Sequence, residues 1–94
     1  MKGNINDLIK QTKINIKEGK KRVVEIESQI QEYEGIIDAI SFTEQRYMVK
    51  SYYKKVDKCY AELEEVLDSI ERNKNIINAL KSAEEIVRRG EKCA

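Results

Sequence analysis

Tyr53-x-x-x-Asp57 and Tyr60-x-x-x-Glu64 each set an aromatic ring and a carboxylate one helical turn apart, with Cys59 between them. A thiol nucleophile needs a neighbouring base or cation to become a thiolate, and the chain has no histidine to serve. The adjacent acid pairs Glu64-Glu65 and Glu84-Glu85 point about 100° apart on a helix, so neither makes a cooperating dyad. A carboxylate-bridged metal pair in a helical bundle would use Glu-x-x-His, which cannot be written here. No glycine-rich phosphate loop is present. The expectation is a non-enzyme with no metal and no cofactor. Cys59 is expected to be a buried thiol and Cys93 an incidental one, since two cysteines make no disulfide framework.

Binding chemistry is better represented. Lys17, Lys20, Lys21 and Arg22 form one basic cluster. Arg46, Lys50, Lys54, Lys55 and Lys58 form a second, interleaved with Tyr47, Tyr52 and Tyr53 as base-stacking surfaces require. These residues carry the alternative reading, a binder of nucleic acid or another polyanion through Lys17, Lys20, Lys21, Arg22, Lys50, Lys54 and Lys55. Against it, 18 Lys and Arg balance 17 Asp and Glu for a net charge of +1, which gives no overall pull toward an anionic partner.

The elements that position these groups follow from spacing. Apolar or small residues recur at Ile5, Ile9, Thr12, Ile16, Gly19, Val23, Ile26, Ile30, Tyr33, Ile37 and Ile40, in alternating steps of four and three. That is the heptad seam of a helix packed along one stripe. A second ladder runs through Phe42, Gln45, Val49, Tyr52, Val56, Cys59, Leu63, Val66, Ile70, Asn73, Ile77, Leu80, Glu84 and Val87. Between Ile40 and Phe42 the step is two, which in a continuous helix would throw the second seam to the opposite face. A chain reversal near Ser41–Thr43 returns both seams to one interior. Ser41-Phe42-Thr43-Glu44 also has the S-x-x-E form of a helix-starting capping box.

The spacing therefore predicts an all-α antiparallel hairpin with helices over roughly 4–40 and 43–89. Asn4 is the expected N-cap of the first, Gly90 the left-handed stop of the second, and a short flexible tail is expected from about residue 90. Asn73-Lys74-Asn75 is the point at which the second helix would break, if it breaks. No proline interrupts either ladder. The whole chain of 94 residues is read as one hairpin domain.

Charge comes in blocks of alternating sign: residues 1–24 basic, 25–44 acidic, 45–58 basic, 59–71 acidic and 72–94 basic. A fold at Phe42 sets residue i near residue 84 − i and lays opposite blocks side by side, whereas a parallel homodimer would juxtapose like charges. This register also puts Thr12 opposite Asn73.

A two-helix hairpin leaves further helix surface to be covered. Tyr53, Tyr60 and Leu67 make a flanking line at seven-residue spacing, and Ile76 is a further apolar position off the seam. These four are the expected partner-binding residues. They would complete a four-helix bundle with a second copy or another helical protein. The first function is thus a non-catalytic protein–protein interaction module: a small adaptor, secretion accessory, chaperone or inhibitor.

In length and hairpin shape the chain is similar to small helical-hairpin substrates of type VII secretion, whose export signal has the Tyr-x-x-x-acid form. Their turn carries Trp-x-Gly, where this one reads Ser41-Phe42-Thr43, and both tyrosine–acid pairs here lie inside the second helix rather than after it. The likeness assigns no family. No apolar run reaches the ~20 residues of a membrane span or forms a signal peptide, and the reading expects a reducing, cytoplasmic setting with signal-less export as the other route.

Overall fold

The computed structural model describes residues 4–93, with side chains through Gly90. Helix α1 spans Ile5–Ile40, a single 3-10 turn covers Arg46–Met48, and helix α2 spans Val49–Cys93. The chain is an all-α antiparallel hairpin. It divides into two compact units. The turn unit is Lys21–Leu67; the terminal unit joins the part of α1 before Lys21 to the part of α2 from Asp68 onward.

Helix α1 begins as its sequence dictates. Asn4 Oδ1 accepts a hydrogen bond from the Asp7 backbone N–H at 2.9 Å, which satisfies one of the orphan amides of the first turn. The Asp7 carboxylate adds a favourable charge at the positive end of the helix.

In the turn unit the core consists of Ile26, Ile30, Ile37 and Val56, with Tyr33, Val49, Tyr52, Cys59, Leu63 and Val66 packed around it. Every one of these is a rung of the two sequence ladders. Ile26 is the most enclosed, 1% exposed. Reading α1 backward from Ile40 and α2 forward from Val49 gives the same sequence of steps, so rungs pair in order: Ile40 with Val49, Ile37 with Tyr52, Tyr33 with Val56 and onward to Val23 with Val66.

The turn differs from the sequence expectation. Helix α2 starts at Val49 rather than 43, because the residues of the supposed capping box close α1 instead of opening α2. The Ser41 N–H and Oγ both donate to the Ile37 carbonyl, at 2.9 and 2.5 Å. The Thr43 N–H and Oγ1 both donate to the Ile40 carbonyl, at 3.0 and 2.8 Å. These bonds satisfy carbonyls left over at the end of α1. The Thr43 oxygens then accept from the Gln45 and Arg46 N–H groups, at 3.1 and 3.2 Å, and hand the chain to the 3-10 turn. No described residue has a positive φ, which is why no glycine marks the reversal. Phe42, placed on the seam by the sequence ladder, is 97% exposed, and Gln45 is exposed as well.

In the terminal unit the buried residues are Ile9, Thr12, Ile70 and Ile77, again all rungs. Thr12 and Asn73 do not bond to each other. Thr12 Oγ1 donates to the Leu8 carbonyl at 2.7 Å and Asn73 Nδ2 to the Ser69 carbonyl at 2.8 Å, so each polar rung is satisfied within its own helix. Helix α2 does not break at Asn73–Asn75.

Nor does α2 stop at Gly90. It continues to Cys93, and Gly90 keeps a right-handed backbone where a left-handed stop and a tail were expected. Ion pairs Arg88–Glu84 and Arg89–Glu85, one turn apart, support the last turns and offset the roughly 1 kcal/mol cost of a helical glycine. The Val87 rung is exposed. The Cys93 side chain lies outside the described residues. No described helix is long and apolar enough to cross a membrane.

Candidate functional site

The two edges of the seam in the turn unit are chemically different. One is marked by an ion pair: Arg22, which immediately precedes the rung Val23, donates from Nε to Glu62 Oε1 at 3.2 Å, and Glu62 immediately precedes the rung Leu63. The guanidinium also reaches Glu25 at 3.1 Å. These hydrogen bonds, to Glu62 first and Glu25 second, hold Arg22 more firmly protonated than usual. On the same edge Lys55 precedes Val56, and its ammonium sits 5.7 Å from the Tyr33 ring centre and 5.1 Å from that of Tyr52. The two rings are themselves 6.0 Å apart and tilted.

Residues that follow rungs occupy the opposite edge. On α2 these are Tyr53 after Tyr52, Tyr60 after Cys59 and Leu67 after Val66, and on α1 Glu27 after Ile26 and Glu34 after Tyr33. Tyr53 is 54% exposed, Tyr60 50% and Leu67 49%. A heptad places them in one line along α2, each projecting an apolar body toward solvent.

Ile76, the fourth residue singled out in the sequence, belongs to the terminal unit. It is 47% exposed, but the seven-residue line through Tyr53, Tyr60 and Leu67 continues onto Lys74, so Ile76 is not a member of it.

The basic candidates are dispersed. In the turn unit Lys21, Lys50 and Lys54 are exposed, while Arg22 is engaged by Glu62 and Glu25 and Lys55 by two aromatic rings. In the terminal unit Lys17 and Lys20 are exposed. That unit also carries an open groove of about 610 Å³ lined by Asn6, Lys13 and Lys81 and by two arginines, Arg88 and Arg89, that are already paired with Glu84 and Glu85.

Cys59 is a free thiol, half-buried on the seam. Two aromatics that the sequence reading placed in the seam ladder and in the second basic cluster are largely exposed. Phe42 and Tyr47, the latter 77% exposed, stand at the turn. Phe42 was hidden by its agreement with the ladder, and nothing in the sequence separates a turn aromatic from a seam aromatic once the turn's length is unknown. Comparison with protein families, curated proteins and solved structures found no match.

Proposed function

We propose that this chain is a non-catalytic protein–protein interaction module that docks onto the helices of a partner through the line Tyr53, Tyr60 and Leu67. The observation that supports it is the half exposure of three large apolar or aromatic side chains in register along one edge of a regular seam. Tyrosines in such a position carry a large contact area and a hydroxyl for the rim, the composition favoured at interfaces. Docking one or two helices there completes a bundle of the usual helical kind, formed with a second copy or with another helical protein. A small adaptor, secretion accessory, assembly chaperone or inhibitor would all use a surface of this sort.

Light-scattering mass and helical circular dichroism of the chain, alone and mixed with a lysine-flanked amphipathic helical peptide, compared between the parent and the Tyr60→Glu/Leu67→Glu double variant, test it. The expected result is loss of the assembly with helicity retained, because both side chains are half exposed and neither is part of the core. An assembly of unchanged mass would remove this edge from the proposal. Polyanion binding is the competing reading, and it is weakened by the engagement of Arg22 and Lys55 within the hairpin.

A further inference from the structure

The edge that carries Tyr53, Tyr60 and Leu67 has a pronounced charge. Glu27 and Glu34 border it from α1, and Asp38 lies one turn beyond Glu34 on the same side. On α2, Asp57 and Glu64 precede Tyr60 and Leu67 by three residues, which places them beside the apolar line, and Lys50 stands in the same relation to Tyr53. All six charged residues are exposed, and none forms an ion pair among the described residues. Five acids against one base surround three apolar side chains. On the opposite edge Arg22 is bonded to Glu62, and Lys55 lies over the Tyr33 and Tyr52 rings.

Resting on the docking function proposed above, we infer that the occupant of this edge is a basic amphipathic helix from another protein, not a second copy of this chain. A two-fold contact of the edge with itself would set the acidic border formed by Glu27, Glu34, Asp38, Asp57 and Glu64 against the same acidic border of the second copy, and like charges set close across an interface cost many-fold in affinity. The fitting partner helix presents apolar residues every three to four positions for Tyr53, Tyr60 and Leu67, flanked by Lys or Arg for the acids. Charge of this kind on the rim accelerates encounter and selects orientation, while the apolar line slows dissociation.

The test uses the full chain and two fluorescent helical peptides with the same leucine stripe, one with lysines flanking the stripe and one with glutamates. Fluorescence anisotropy reads binding, and light scattering reads self-association at the same concentrations. The lysine peptide is expected to bind at least ~10-fold more tightly than the glutamate peptide, with an affinity that falls as salt rises. Glu27→Lys/Glu34→Lys is expected to lose roughly tenfold in affinity for the lysine peptide while its helicity is unchanged. Equal binding of both peptides, or undiminished binding by the charge-reversed variant, overturns the inference. So does a chain that dimerises through Tyr60 and Leu67 and binds neither peptide. In each of these cases a loss of binding or mass in Tyr60→Glu/Leu67→Glu leaves the docking edge standing, whereas indifference to that variant removes the edge itself.

Discussion

Arg22 on α1 and Glu62 on α2 meet across the hairpin, Nε to Oε1 at 3.2 Å. This is the one ion pair between helices among the described residues. In a double-mutant cycle, Arg22→Ala and Glu62→Ala should show a favourable coupling at low salt that disappears near ~1 M salt, measured by thermal unfolding. A coupling that survives high salt would contradict the exposed position of both groups.

Ile26 lies at the centre of the turn-unit core. Ile26→Ala should cost about 2–5 kcal/mol in urea unfolding, since Ile26 is almost wholly enclosed and its neighbours on both helices are fixed by the seam. Val24→Ala, two residues away on an exposed face, should stay within about 0.5 kcal/mol. Comparable losses at the two positions would contradict the assignment of the seam.

That seam was legible because a helix enforces its period at every residue. Each rung from Ile5 to Ile40 and from Val49 to Glu84 is buried or half-buried. The failures fall where periodicity is not the governing physics. Phe42 and Gln45 lie in a turn shaped by side-chain hydroxyls, and the motif Ser41-Phe42-Thr43-Glu44 reads equally well as the start of one helix or the end of another. At the far end, Gly90 is compatible with a stop but does not compel one, and the arginine–glutamate pairs before it carry the helix onward. Of the candidate docking residues, Tyr53, Tyr60 and Leu67 were visible as a heptad line. The capture of Lys55 by two tyrosine rings was not, because it depends on side-chain positions from both helices.

Replacing both hydroxyls, Ser41→Ala with Thr43→Ala, should destabilise the hairpin by about 1–2 kcal/mol, as each hydroxyl bonds a terminal carbonyl of α1. Phe42→Ser should fall within about 0.5 kcal/mol of the parent. Chemical denaturation of the three proteins side by side checks both statements.

Stability should be flat across neutral pH. Arg22 has its folded pKa raised by Glu62 and Glu25, so its contribution is complete below the unfolded value and is lost only as pH rises through the folded one, far into the alkaline range. With no histidine in the chain, no side chain of ordinary pKa changes charge near pH 6.5. Melting temperatures at pH 6 and pH 8 should agree within about 2 °C, and a larger difference would reveal a displaced ionisation.

The reversal between α1 and α2 is made from hydroxyl bonds and backbone torsions of negative φ, without a position that requires glycine. Its tip is consequently a permissive place in the molecule. A label, a short epitope or a few added residues inserted between Glu44 and Gln45 would interrupt the bonds from Gln45 and Arg46 to Thr43 but would lie outside the interlocked isoleucines. Loop closure grows only slowly more costly with length, so such an attachment point would report on docking from a distance without entering the contact.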